Sequence, residues 1–473
     1  MPDDLNIPDR VLVAGLGAST RSLEVRLRMP DDLNIPDRVL VAGLGASGVA
    51  VVKLLVSQGK KVTATDIKQE GELSGALKEL EATPFTGRFG GHVRKDFLDH
   101  ELIVISPGIA SDQPFLQEAR QNGARVIGEI ELASRFIEEP IIAITGTNGK
   151  TTTTTLLGRL FNAASRDVFV GGNIGEPLVN YVLSGRKASL LIVEISSFQL
   201  ETIETFRPAT AILLNITEDH LDRYATFAEY IAAKMRIFEN QTRNDEALVS
   251  TEVETTDAVR ARRYSFSTRS MLDEGAFLRE GLLCVRLADK EFSYRRDLSP
   301  LVGIHNSENL LSALLTAHLY GIDREVIEKT LHDFRGLAHR VELVRQIRGV
   351  KFYNDSKATN VDATRKALES MDGNVILIAG GKDKGGSYAI IVPLADRIKA
   401  LVVIGEARKK IEAELGPYVP TYGEKDLEGA VERAQSVAKK GDTVLFSPMC
   451  SSFDMFENYK TRGNAFRHIV EAL

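Results

Sequence analysis

Apolar positions along the chain gather into short, β-branched runs separated by longer stretches of helical periodicity. "RVLVAG" (38–43), "KVTATD" (61–66) and "ELIVIS" (101–106) predict a first group of strands. "IIAITG" (141–146), "LLIVEIS" (190–196) and "AILLNIT" (211–217) predict a second group, which begins after Pro140. "VILIAGG" (375–381), "ALVVIG" (400–405) and "TVLFSP" (443–448) predict a third. Buried strands alternating with helices imply α/β architecture with mainly parallel sheets. Each group opens a new βα series, which predicts three domains over 29–138, 139–336 and 337–473; a length of 473 residues suits that number. Residues 247–300 are less regular, with charged, hairpin-like pieces that suggest no chemistry.

One pattern occurs twice. "MPDDLNIPDRVLVAGLGAS" fills residues 1–19 and again 29–47. The two copies lead into different sequences. After Ser47 come Gly48 and "VAVVKLLVSQGKKVTATD", a helix with an apolar face leading to the next strand, which completes a βαβ unit. After Ser19 come Thr20 and "RSLEVRLR", whose Leu23, Val25 and Leu27 alternate with charged residues and cannot form that crossover helix. The second copy is expected in the sheet. Residues 1–28 are expected to be a disordered or loosely docked duplicated extension, with Met29 as the natural start.

Composition narrows the function classes. Apolar residues make up 43% and charged residues 26%, and the formal charge is 59 − 65 = −6. That balance gives no reason to expect a nucleic acid as the main ligand, so anionic substrates must be held locally. The two cysteines, Cys284 and Cys450, lack metal-ligand spacing and suit a reducing compartment. No apolar run is long enough to span a bilayer, and the acidic opening Met1-Pro2-Asp3-Asp4 does not read as the start of a secretory leader. A cytoplasmic protein without membrane insertion is expected.

Candidate chemistry lies at the strand ends. Gly43-x-Gly45-x-x-Gly48, with Ala46 and Ser47 inside the turn, admits a diphosphate to a helix N-terminus. Asp66 lies 18 residues after Gly48, where a ribose-binding acid is expected. Alone this pattern suggests an NAD-dependent oxidoreductase, but nothing nearby positions a hydride acceptor. "IIAITGTNGKTTTTT" (141–155) is more specific: a buried strand, a Gly-rich turn, Lys150 to reach β- and γ-phosphates, and Thr151 placed for Mg²⁺. It is a shortened variant of the usual phosphate loop, since Ile144 stands where the first glycine belongs. Glu194 closes the next central strand, where an acid can meet a nucleotide's metal, and His220 comes just past another strand end. In "FAEYIAAKMRIFEN", Phe227, Tyr230, Ile231, Lys234 and Phe238 share one helical face, which puts Lys234 on an apolar stripe. A lysine there either snorkels its stem or, desolvated, is a neutral amine able to add CO₂.

"TGTNGKTT", "GGNIGEP" (171–177), "VEISSFQLE" (193–201), "NITEDHLDRY" (215–224), "AAKMRIFEN" (232–240), "GIHNSEN" (303–309), "GLAHRVE" (336–342) and "NDSKATN" (354–360) resemble the Mur ligase family. With "SPMCSSFDMFENYKTRG" (447–463) the chain is most similar to the branch that adds D-glutamate to UDP-N-acetylmuramoyl-L-alanine. The match runs in order from 29 to 473, and the D-N-P-R motif of the diaminopimelate-adding branch is absent. The resemblance implies a Rossmann-like first domain holding UDP, a central P-loop-type ATPase domain and a Rossmann-like C-terminal domain for the amino acid. It implies ATP-dependent amide formation through an acyl phosphate, a step of peptidoglycan precursor synthesis. A related amide ligase of the folylpolyglutamate synthase group, with another amino acid, is the alternative; an inactive nucleotide-binding scaffold is disfavoured.

The resemblance also implies site roles. Gly43, Gly45, Ala46, Ser47, Gly48, Asp66, Ser106, Pro107, Gly108 and Asn173 would face the UDP substrate. Gly146, Thr147, Asn148, Gly149, Lys150, Thr151 and Thr152 would hold the phosphates of ATP, Asn306 and Asn309 its adenine, and Asp355 its ribose. Thr151 and Glu194 would hold one Mg²⁺; His220 and Lys234, as a carbamate, a second. Lys150 and Arg340 would brace the γ-phosphate, with Asn173 at the transferring end. Thr359 and Lys384 would take the α-carboxylate of D-glutamate, Ser452 and Tyr459 its side chain, with Lys357 at the same junction. Lys384 is preferred to Lys382 by alignment of the glycines. A monomer is expected.

Overall fold

A computed structural model describes residues 35–220, 223–254, 259–371 and 373–473. The expected extension 1–28, and Met29, lie outside the described residues.

The first sheet contains β1 (Arg38–Ala42), β2 (Lys61–Asp66), β3 (Thr86–Phe89), β4 (Leu102–Ile105) and β5 (Arg125–Gly128), all parallel, in the order 3-2-1-4-5. The second copy of the repeated pattern therefore supplies the central strand. Val39, Leu40, Val41 and Ala42 are fully buried, as expected for a parallel strand covered on both faces. The order reverses beside β1, so the loops after β1 and β4 diverge and leave a crevice at the strands' carboxyl ends.

The second sheet contains β6 (Ile141–Thr145), β7 (Val168–Gly172), β8 (Leu190–Glu194), β9 (Thr210–Leu213), β10 (Glu246–Ser250), β11 (Arg262–Ser267), β12 (Gly275–Arg279), β13 (Leu282–Leu287) and β14 (Lys290–Arg295). Its order is 14-13-12-11-10-9-6-8-7, parallel except for the β12–β13–β14 meander. The hairpin-like pieces of 247–300 thus extend the sheet edge away from β6. The third sheet contains β15 (Glu342–Ile347), β16 (Val350–Asn354), β17 (Val375–Gly380), β18 (Ile398–Ile404), β19 (Thr421–Gly423) and β20 (Thr443–Phe446), in the order 15-16-20-17-18-19 with only β15 antiparallel.

Polar side chains couple the three parts. Asn148 Nδ2 and Thr217 Oγ1 both donate to Asp362 Oδ2, at 3.0 and 3.1 Å. The Arg223 guanidinium donates to the Pro107 and Ile109 carbonyls at 2.8 and 3.2 Å. It also lies 3.8 Å over the Phe198 ring. Among the described residues no helix is long and apolar enough to cross a membrane.

Candidate active site

In the first sheet the three glycines have different tasks. Gly43 has φ +91°, and a Cβ on it would stand 2.7 Å from Ser106 Cβ. A Cβ on Gly48 would overlap the Gly43 carbonyl, so this glycine lets the helix Ala46–Ser57 approach β1. Gly45, the residue before that helix, faces open space with nothing within 4 Å. Gly45 is therefore where a ligand can reach the backbone. Asp66 accepts the Leu44 and Lys68 N–H groups at 2.7 and 2.9 Å, which fixes the turn from both sides. Pro107 meets Arg223 of the central part through its carbonyl, and Ser106 stands against Gly43.

The second site builds on β6. The loop after it runs through Gly146 (φ +150°) and Gly149 (φ +89°) into the helix Lys150–Ala163. It is pinned from β9: Thr147 N–H donates to the Asn215 carbonyl at 2.9 Å, and Asn148 N–H to Asn215 Oδ1 at 2.9 Å. Thr147 Oγ1 lies 3.1 Å from the Tyr230 hydroxyl. Lys150 Nζ donates to the Gly146 and Thr147 carbonyls at 2.7 and 3.0 Å. Burial lowers its pKa, with Glu194 and Asp219 opposing. Thr152 is buried inside the first helical turn. Asn309 is buried against Gly149; its amide donates to Asn306 Oδ1 at 3.1 Å.

Glu194 ends β8 at 2% exposure. Its Oε1 accepts from Asn173 Nδ2 at 2.9 Å, while Oε2 is buried with no partner. A buried carboxylate oxygen without a donor is costly unless a cation completes it. Among the described residues no three His, Cys, Asp or Glu side chains form a metal cage. The donor set fits a hard cation that shares phosphate oxygens, as Mg²⁺ does.

Lys234 does not snorkel: it is 1% exposed, and its Nζ donates to the Gly146 carbonyl at 2.9 Å. Burial, with Lys150 adding, holds its pKa well below the usual lysine range. His220 has φ +57°, a left-handed backbone uncommon outside glycine, and burial lowers its imidazole to about 4. Its neighbour Asp219 is the acid that the one-dimensional pattern left unmarked. Asp219 Oδ2 accepts from Asn360 Nδ2 at 2.8 Å, and Oδ1 lies 3.6 Å from Lys384 Nζ. Burial raises this carboxyl, but Lys384 and His220 outweigh it and keep it below its ordinary range. Its only sequence signal is position, one residue before the His at a strand exit.

The third sheet's loops close over these groups. Lys357 Nζ donates to Thr151 Oγ1 at 2.8 Å and lies 5.1 Å from the Tyr459 ring. Burial, then Arg340, lowers it to about 6. Arg340 keeps a buried Nε with no partner, in the field of Glu194 and Asp355. Asp355 is buried, accepting from Ser447 Oγ and Val341 N–H at 2.8 and 3.2 Å; burial raises it to about 7. Thr359 and Lys384 line a cavity of about 150 Å³ with Asp219, His220 and Asn360. Lys382 is exposed and pairs through its backbone with Ser451, so Lys384 is the lysine in the cavity. Ser452 is buried one loop away.

A phosphate loop, an unpartnered acid and a set of buried cations define a protein that uses a nucleoside triphosphate. Family comparison specifies it further. Residues 37–128 match the Mur ligase MurD-like, N-terminal domain, residues 144–317 the Mur ligase middle domain, and residues 339–450 the Mur ligase, glutamate ligase domain. The chain belongs to the Mur ligase family. It is 49% identical over 435 residues to the UDP-N-acetylmuramoylalanine–D-glutamate ligase of Geotalea daltonii, covering 90% of this chain and 95% of that one. It is 48% identical over 432 residues to the protein of that name from Geobacter metallireducens, with the same coverage. Among solved structures it resembles the UDP-N-acetylmuramate-alanine ligase MurC of Thermotoga maritima (TM-score 0.57, 18% identity, 92% of this chain, 99% of that chain). A pseudomurein peptide ligase of Methanothermus fervidus is similar (TM-score 0.58, 18% identity, 92% and 100%). These two likenesses are of fold.

Proposed function

We propose that this chain is an ATP-dependent ligase that joins D-glutamate to UDP-N-acetylmuramoyl-L-alanine, a step of peptidoglycan precursor synthesis. The observation that carries the reading is one cleft in which Thr151, Glu194, Arg340 and the Lys384 cavity converge from two sheets, in a chain half identical to ligases of that name. The substrate carboxylate attacks the γ-phosphate of ATP, giving an acyl phosphate and ADP. The amine of D-glutamate then attacks the acyl carbon, and phosphate leaves.

The first step brings two anions together, so the protein's task is charge neutralisation and exclusion of water. Lys150 and Arg340 brace the γ-phosphate, and Asn173 holds Glu194 oriented beside the transferring end. Thr151 and Glu194 would hold one Mg²⁺, and His220 with Lys234 as its carbamate a second; bound there, the metal neutralises phosphate charge. The burial of the Lys234 amine, which disfavours its charged form, supports the carbamate. Asn306 and Asn309 are assigned to the adenine side and Asp355 to the ribose side of ATP. Gly45, Asp66 and the 106–108 loop serve UDP. Thr359 and Lys384 take the α-carboxylate of D-glutamate, and Ser452 and Tyr459 its side chain, with Lys357 at the phosphate junction. The division near residues 138 and 336 separates UDP, ATP and amino-acid duties, in a monomer acting in the cytoplasm.

The test is ADP release over a panel of amino acids with UDP-N-acetylmuramoyl-L-alanine, ATP and Mg²⁺. D-glutamate alone should support rapid turnover. Comparable rates with another amino acid, or none with D-glutamate, would overturn the reading.

A further inference from the structure

The loop that carries Lys384 has little to hold it by itself. From Gly380, the last residue of β17, to Ala389 the chain contains Gly380, Gly381, Gly385 and Gly386, the first three at positive φ. Such a segment loses much conformational freedom when ordered, and a lysine on it is placed only as well as the loop is tied. The ties are specific. Asp383 Oδ1 accepts from the Tyr388 hydroxyl at 2.8 Å and from Gly385 N–H at 3.2 Å. Asp383 Oδ2 accepts from Lys410 Nζ at 2.9 Å, and Lys410 also donates to the Gly386 carbonyl at 2.8 Å. From the same helix, Glu414 Oε2 accepts the Tyr388 and Ala389 N–H groups at 2.7 and 3.1 Å.

The frame extends to the neighbouring loop. The Tyr388 hydroxyl, on a side chain 2% exposed, lies 3.1 Å from Cys450 Sγ. Lys382 N–H donates to the Ser451 carbonyl at 2.9 Å. Lys384 and Ser452, the groups assigned to the two carboxylates of the incoming amino acid, therefore stand on loops joined through one buried hydroxyl and one carboxylate.

We propose that Tyr388 and Lys410, acting through Asp383, are positioning residues for the amino-acid substrate: they fix the Lys384 loop against the Ser452 loop before D-glutamate binds. The proposal rests on the assignment of Lys384 to the substrate carboxylate. Asp383 and Tyr388 border the cavity that Lys384 lines and Lys410 stands outside it; the effect assigned to all three is preorganisation of Lys384 and Ser452.

The test compares Tyr388→Phe, Lys410→Met, Lys410→Arg and Lys384→Ala in steady-state kinetics with each substrate varied in turn, alongside melting temperature. Tyr388→Phe and Lys410→Met should each raise KM for D-glutamate about fivefold to twentyfold. KM for ATP and for the UDP substrate should stay within twofold, and Lys410→Arg should recover most of the loss. KM for D-glutamate unchanged in both variants, with Lys384→Ala raising it, would overturn the positioning role and leave the Lys384 assignment standing. All three KM values moving together, or a fall in melting temperature alone, would show a merely structural role and overturn it too. If Lys384→Ala leaves KM for D-glutamate unchanged, the site assignment fails and the inference with it.

Discussion

Gly45 and Gly48 stand three residues apart in one turn, and the structure gives them opposite vulnerabilities. At Gly45 the backbone has φ −71° and ψ −175°, which alanine adopts freely, and an added methyl meets nothing within 4 Å. Alanine is a poorer helix N-cap than glycine, a loss under about 1 kcal/mol, and stiffening the unfolded chain returns roughly 0.4–1 kcal/mol. Gly45→Ala should therefore leave the melting temperature nearly unchanged. If the diphosphate approaches this backbone, the methyl displaces it from one or two charge-assisted hydrogen bonds of about 1.5–3 kcal/mol each. KM for the UDP substrate should rise at least tenfold, and KM for ATP should stay put. At Gly48 the same methyl overlaps the Gly43 carbonyl, so helix and strand must separate. Overpacking of that kind costs about 1–3 kcal/mol or more, and Gly48→Ala should lower the melting temperature. ADP release with UDP substrate varied, paired with thermal unfolding, separates the two effects. An unchanged KM in Gly45→Ala would refute the reasoning, because then no phosphate rests on that turn.

Four further outcomes are expected. Lys234→Ala should lose most activity, and acetate should restore part of it, whereas Lys234→Arg should stay inactive because it cannot form a carbamate; full activity in the arginine variant would exclude that role. Ser452→Ala should raise KM for D-glutamate about tenfold while KM for ATP barely moves; parallel losses would misplace the pocket. Burial raises the Glu129 carboxyl to about 7, its Oε1 accepting from Val179 N–H at 2.7 Å and its Oε2 having no partner. Its contribution is present below the ordinary carboxyl range and lost as pH rises through 7, so Glu129→Gln should gain stability on wild type between pH 5 and 8, by about 3 kcal/mol at most; equal pH slopes in urea unfolding would contradict this. Lys357, lowered to about 6 first by burial, should gain a proton when polyphosphate arrives beside Thr151, so ATP binding at pH 7 should show proton uptake by calorimetry in buffers of different ionisation enthalpy; a heat independent of buffer would deny it.

The strands that carry the site were legible because each is a buried parallel strand with a near-continuous apolar run, and each hands its chemistry to the loop just beyond. Gly43, Gly146, Glu194 and His220 all sit at such exits. What stayed hidden depends on chain segments far apart in sequence. By its own pattern Lys234 reads first as a snorkelling lysine, and only the Gly146 carbonyl 88 residues away shows that it is buried and bonded. Asp219 gains meaning from Asn360 and Lys384, which approach from the third sheet. The weak strands were missed for a related reason: β3 (TGRF) and β19 (TYG) are short, carry glycine and gain their stability from a neighbouring strand rather than from their own pattern.

The charges converging in the cleft explain why a chain of net charge −6 can act on polyanions. Lys150 and Lys234 come from the second sheet's region, while Arg340, Lys357 and Lys384 come from the third; Glu194 and Asp219 are the acids that face them. The cations disfavour one another. Lys150 lowers Lys234 and Lys357, and Arg340 lowers both Lys150 and Lys357. Against that repulsion stand the attractions of Arg340 for Glu194 and of Lys384 for Asp219, which join the two regions. A triphosphate adds to the attraction, because Lys150 and Arg340 then face a further anion. These groups meet where Lys357 donates to Thr151 and Lys384 lies beside Asp219, the junction at which the nucleotide is proposed to bind.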